Sequence, residues 1–285
     1  MSKRTLPYFD VLLLELEKRG SHVAKGFGKH VHWGYWKNPI TAKYTHDDFY
    51  AAAENLTKEM CTLGNISNHQ SVLDVGCGFG GTISFMNDQY SDMVLTGVNI
   101  DGRQLQRANK LIKNAAPNPI NFIEADACKL PFPNNYVDNV LAVECIFHFP
   151  SRKLFFQEAS RVLKPGGSIT LSDFIPHPLL LPSCWLMPLF KSVSFFGACN
   201  LNYTLRSYRK LAEEHGLEME AVDITKNVLP TYYYLGHLNN HIHLALPYRI
   251  MAAPFLWAMR FLSKTSLLTY QILSFKKPHD RLLDN

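Results

Sequence analysis

An α/β architecture, doubly wound around a mostly parallel sheet, follows from three features of this sequence. Short apolar segments of strand length alternate with segments of helical pattern. A glycine-rich turn, "VGCGFGG" at 75–81, follows the first core strand and leads into a helix. The 285 residues are 47% hydrophobic and 19% charged, a globular composition that suits one large domain better than two equal ones.

Taken in order, residues 1–66 read as a mostly helical cap and carry the aromatic run "HVHWGYW" at 30–36. The core, 67–174, places strands at VLDVG (72–76), LTGVNI (95–100), NFIEAD (121–126), VDNVLAVE (137–144) and SITLSDF (168–174). Helical segments lie between them near 81–89, 102–115 and 151–163. Residues 175–204 are rich in Pro, Leu and Phe and too poor in polar side chains for a solvated loop, so they read as a lid. The remainder, 205–285, continues the core with a helix at 205–215, a strand at 217–225, a helical insertion and a last strand, LLTYQILSF, at 267–275. In such sheets ligands bind beyond the carboxyl ends of the strands, where the glycine turn falls.

Composition excludes several function classes. The net charge is +5 without a dense Lys/Arg run, so nucleic acid is not an expected partner. Six scattered cysteines with no C-x-x-C pair argue against zinc and a disulfide framework, and suggest a reducing compartment. The start of the chain reads as no signal peptide. The apolar stretches 179–190 and 246–262 are interrupted by Pro or Arg and do not resemble a membrane span. A cytoplasmic location is expected, with peripheral membrane contact left open. His237 and His241 are spaced i, i+4 and His243 follows, but no full ligand set accompanies them, so a helix surface is expected and no metal.

The glycine turn poses a choice of ligand. Gly76, Gly78 and Gly81 satisfy the dinucleotide fingerprint G-x-G-x-x-G. That reading wants a carboxylate at the end of the second strand, where Asn99 stands, and Asp74 inside the turn would repel a pyrophosphate. S-adenosylmethionine carries no phosphate. It has a sulfonium and an ammonium group, and D-x-G-x-G-x-G (Asp74, Gly76, Gly78, Gly80) offers that ammonium a carboxylate while the glycines admit close approach.

"VLDVGCGFGG", "EADACKLPFPNNYVDNVLAVE" and "RVLKPGGSITLSDF" occur in this order over about 67–175. On these motifs the chain resembles the class I S-adenosylmethionine-dependent methyltransferases of the small-molecule branch, and more distantly those acting on sterols and tocopherols. The resemblance implies a Rossmann-like, seven-stranded sheet with an antiparallel final strand. It also implies a donor site containing Asp74, Gly76, Gly78, Gly80, Asn99, Ile100, Gln104, Asp126, Ala127 and Glu144, with Asp126 and the Ala127 N–H on the adenine. "HVHWGYW" is similar to a segment of the tocopherol-type enzymes and would bring Tyr35 or Trp36 to the sulfonium. Asn99 departs from the Asp or Glu that most relatives use to grip the ribose. On the acceptor side the resemblance puts Glu144 and His148, with Asp173 a further candidate at the exit of the fifth strand. The expected activity is methyl transfer to a small, lipophilic acceptor on carbon, oxygen or nitrogen. A nucleotide-cofactor oxidoreductase and a non-catalytic binding module of the same fold are the alternatives.

Overall fold

The computed structural model describes residues 6–112, 118–186, 199–241 and 246–279. Seven strands form the sheet: β1 (Ser71–Val75), β2 (Val94–Asn99), β3 (Ile120–Glu124), β4 (Val137–Ala142), β5 (Leu163–Pro176), β6 (Glu218–Asp223) and β7 (Leu268–Lys276). Their order is β3-β2-β1-β4-β5-β7-β6. Strands β1 to β5 run parallel, and β7 is antiparallel to both neighbours. The sheet grows outward in opposite directions from β1 and β4, and the crevice between their carboxyl ends is the natural ligand position.

The helices are α1 (Pro7–Glu17), α2 (His22–Phe27), α3 (His46–Leu63), α4 (Gly81–Gln89), α5 (Gly102–Leu111), α6 (Arg152–Val162), α7 (Leu181–Leu186), α8 (Leu205–Glu214), α9 (Thr225–Val228), α10 (Pro230–Leu238) and α11 (Leu246–Lys264). Both sheet faces are covered, which is why β1 reads as a nearly continuous apolar run. Leu73 and Val75 pack with Phe155, Phe156 and Ala159 of α6 and Tyr208 of α8. Val72 packs with Cys61 of α3 and Ile83 and Met86 of α4. In α3 the Thr45 side chain caps the Asp48 N–H, and Asp47 and Asp48 complement the helix dipole. The helix then buries Phe49, Ala52, Ala53, Leu56 and Met60 at helical spacing.

Three boundaries differ from expectation. Strand β4 stops at Ala142, because Glu144 adopts a left-handed φ of 49° and turns the chain out of the ladder. The Pro165-Gly166-Gly167 turn lies within β5 as a bulge: the partners step from Val137↔Leu163 to Asn139↔Ser168. Helix α5 ends at Leu111, and 113–117 fall outside the described residues. Of the lid segment 175–204, the described parts are the end of β5, a short turn, α7 and the return from Cys199; residues 187–198 lie outside the described residues. His243 lies outside them as well.

Candidate active site

A cleft open to solvent lies over the carboxyl ends of β1, β2 and β4. Helix α1 and residues 29–32 form part of its wall. It divides into a polar half around the glycine turn and a more apolar half around Glu144 and His148.

The turn is folded back on β2: the N–H groups of Gly76 and Cys77 both donate to the Val98 carbonyl, at 2.7 and 3.1 Å. Gly76 and Gly78 have φ of 78° and 54°, where side chains strain the backbone. A Cβ at Gly78 would lie 2.5 Å from Val31, and one at Gly76 2.6 Å from Cys145, so neighbours already close the space. Asp74 is buried beside this turn, and its Oδ2 has no hydrogen-bond partner. Burial raises its carboxyl to about 7. An orphaned carboxylate oxygen in a cleft is an unfilled acceptor, and a ligand ammonium would fill it. The residues present therefore fit S-adenosylmethionine on its amino-acid side.

Around the end of β2, Asn99 and Gln104 are buried and line the cleft, with Asn99 Nδ2 donating to Gln104 Oε1 at 3.2 Å. Asn99 Oδ1 accepts from the Asp101 N–H at 3.0 Å. Ile100, 48% exposed, lines the same half with Asp126 and Ala127. Asp126 Oδ1 accepts from the Cys128 N–H at 2.8 Å, which fixes the carboxylate at the cleft edge.

In the other half, Glu144 Oε1 accepts from the Trp33 N–H at 2.8 Å and from the Tyr270 hydroxyl. Burial pushes the Glu144 carboxyl up to about 8 against the pull of these two donors. His148 closes a 3-10 turn after β4, so it lines the cleft together with Glu144. The Tyr8 hydroxyl lies 3.2 Å from His148 Nε2, and the Cys199 sulfur 3.7 Å from Nδ1. Burial keeps the Tyr8 phenol far above its ordinary value, hence protonated.

Four expected positions do not reach the cleft. Trp36 is buried in the cap core, with its indole N–H donating to Asp48 at 3.0 Å, and Tyr35 packs with the cluster behind the cleft wall. Gly80 faces Ile112, Phe122 and Ala108, leaving Gly81 to line the cleft. Asp173 is fully buried in an ion pair with Arg152 at 2.7 Å and also accepts from the Tyr208 hydroxyl at 2.6 Å.

The sequence reading also missed wall residues. Tyr8 reaches His148 from 140 positions away, which no local pattern signals. Lys29, His30 and His32 line the cleft too; the two histidines lie inside the aromatic run whose tyrosine and tryptophan had drawn attention, and Lys29 adjoins it. His32 Nδ1–H donates to the Trp33 carbonyl at 2.9 Å, and its Nε2 lies 3.0 Å from His30 Nδ1 and 3.2 Å from the Thr57 hydroxyl. Burial lowers His32 to about 3, keeping it neutral. His30 Nε2 meets Glu54 at 2.9 Å. Although burial opposes it, the contacts with His30 and Lys29 hold Glu54 down at about 2. Polar residues inside an aromatic run were the available signal.

A family profile described as "Methyltransferase domain" matches residues 73–171. The chain is 30% identical over 259 residues to the 27-O-demethylrifamycin SV methyltransferase of Amycolatopsis mediterranei, a match covering 88% of this chain and 91% of that one. It is 32% identical over 190 residues to the 2-methyl-6-phytyl-1,4-hydroquinone methyltransferase of a Synechocystis species, covering 60% and 57%. Among solved structures, the geranyl diphosphate C-methyltransferase of Streptomyces coelicolor, in complex with S-adenosyl-L-homocysteine, superposes with a TM-score of 0.67 at 16% identity. That match covers 96% of this chain and 98% of the other, and it supports the fold.

Proposed function

The chain belongs to the S-adenosylmethionine-dependent methyltransferases of small molecules, and from that premise we propose that it methylates a hydroxyl oxygen of a lipophilic acceptor. The observation that carries this reading is the His148 imidazole, which lines the cleft with Nε2 3.2 Å from a phenolic hydroxyl. That is hydrogen-bond reach for a general base, and histidine ionises in the useful range. The acceptor hydroxyl takes the place beside Nε2 that the Tyr8 hydroxyl holds. The apolar contacts come from Leu6, Phe9, Val143 and Phe149, in keeping with pockets that pair apolar walls with a few placed polar groups. The full-length similarity to an O-methylating relative favours oxygen over carbon.

When bound, S-adenosylmethionine supplies a methyl group on a sulfonium sulfur that leaves as a neutral thioether. The chain's residues bind, align and deprotonate. Asp74 Oδ2 would accept from the donor ammonium, Asn99 and Gln104 would hold the ribose hydroxyls, and Asp126, the Ala127 N–H and Ile100 would hold the adenine. Glu144, raised to about 8, stays mostly protonated at neutral pH in the free protein and shapes the acceptor half beside the Trp33 N–H. His148 takes the hydroxyl proton as the oxygen attacks, and proximity and alignment do the rest.

Turnover of isotopically labelled donor against a panel of lipophilic alcohols and phenols, with products identified by mass spectrometry, tests this. His148→Ala should lower turnover by about 10²–10⁴-fold while leaving donor affinity unchanged. Label found on carbon, with Glu144→Gln the more damaging change, would replace the oxygen reading with carbon methylation.

A further inference from the structure

Helix α11 is two-sided in an unusual way. Inward, Met259 and Leu262 pack against the buried cluster that holds Val143, Phe174 and Tyr270, against which Trp33 and Phe147 pack as well, and the Tyr232 hydroxyl meets Ser263 Oγ at 2.9 Å. Trp33 stands edge-on against Tyr232, and its N–H donates to Glu144. The helix is thus the outer layer of the wall behind the acceptor half of the cleft. Outward, Ala253, Trp257 and Phe261 recur every fourth residue and make one exposed stripe. Trp257 is 61% and Phe261 50% exposed, with their rings stacked at 5.6 Å.

Among the described residues of α11 and the elements packed against it, the charged side chains are of one sign. The Arg260 guanidinium lies 4.9 Å and the Lys264 ammonium 6.0 Å from the centre of the Tyr233 ring. Neither α11 nor α9, α10 and β7, the elements packed against it, contains an Asp or Glu. Together their described residues carry Lys226, Arg260, Lys264 and Lys276. A second apolar element emerges close by: the His177 N–H donates to the Leu267 carbonyl, just past the end of α11, and Leu179 beyond it is 76% exposed.

We propose that the Ala253–Trp257–Phe261 stripe of α11, bordered by Arg260 and Lys264, docks this protein on an anionic lipid surface. Aromatic and aliphatic side chains on one helix face with basic residues beside them are the make-up of a helix that lies in the interfacial plane. No helix among the described residues is long and apolar enough to cross a membrane, so α11 rests on the bilayer. A second copy of the chain fits less well, because symmetric pairing would set these cations against each other with no acid on the four elements to neutralise them. Anionic headgroups supply that charge. Docking here puts the acceptor half one helix layer from the bilayer. Lipid-borne delivery of the acceptor rests on the reading of a lipophilic substrate above; the docking itself does not.

The full chain is sedimented with vesicles of phosphatidylcholine alone and of phosphatidylcholine with phosphatidylglycerol. Binding is expected to the anionic vesicles and to weaken with salt. The double change Trp257→Ser with Phe261→Ser should reduce partition by about tenfold or more, and Arg260→Gln with Lys264→Gln by about fivefold per charge. Donor affinity of each variant, measured by calorimetry, should stay at the wild-type value and reports that the fold survives. Absence of vesicle binding, or binding indifferent to these substitutions, overturns the proposal. So does a dimer in light scattering that the Trp257 and Phe261 changes dissolve, since a second copy would then be the occupant. The assay uses neither acceptor nor turnover, so its outcome is separable from that of oxygen methylation.

Discussion

Two aspartates, Asp74 on β1 and Asp173 on β5, are buried on the same sheet, and their surroundings differ completely. Asp173 is saturated: Arg152 pairs with it, Tyr208 donates to it, and the Phe174 N–H donates to its other oxygen at 2.9 Å. The guanidinium is itself covered by the Tyr203 ring at 4.4 Å. Asp74 has an oxygen with no partner, and burial is the cause of its raised carboxyl. Depth of burial therefore does not mark a binding group. The unfilled acceptor does, because a buried carboxylate left unsatisfied is costly unless a ligand completes it.

The strongest test of this contrast is removal of the saturated carboxylate. Asp173→Ala leaves Arg152 as an uncompensated buried charge, and breaking such a pair costs about 3–5 kcal/mol. Chemical denaturation should show that loss, while the folded fraction binds donor with wild-type affinity. A stable variant that has lost turnover would return Asp173 to the active site.

Asp74→Asn should do the reverse. Donor binding weakens by about 1–3 kcal/mol, the scale of a lost charged hydrogen bond, and calorimetry reads it directly. Stability should move the other way at neutral pH and above. With its folded value near 7, Asp74 keeps a proton between about pH 4 and 7 that the unfolded chain has released. The unfolded state thus binds fewer protons there, so this group makes wild-type stability fall as pH rises through that window. The Asn variant should lack that part of the slope. Because a ligand cation favours the ionised carboxylate, donor binding to the wild type should release a proton near pH 7. Identical pH profiles for the two proteins would remove Asp74 from the donor site.

The smallest expected effect sharpens the polar half. Asn99→Asp keeps the acceptor for the Asp101 N–H, and Gln104 can turn its amide to donate to the new carboxylate. Donor affinity should tighten by about 1 kcal/mol through charge-assisted bonds, read by the same titration. Loss of binding in a folded variant would mean that Asn99 does something other than hold the ribose.

Local pattern determined the strands, their alternation with helices and the glycine turn, since each depends on side-chain periodicity or on backbone freedom at a few positions. It also drew attention to Asp74 and Asn99, at the glycine turn and the end of the second strand, whereas Gln104, Asp126, Glu144 and His148 were expected only from the resemblance to a known family. Only the tertiary structure decided what those groups meet. Arg152, which claims Asp173, lies on a helix that precedes β5, and the residues that complete the acceptor half come from α1 and 29–33. Trp36 and Asp173 show the limit of such patterns, since an aromatic ring or a carboxylate looks alike in sequence whether it faces a cleft or a core. Partners from distant segments are fixed by packing across the fold, which short-range spacing does not encode.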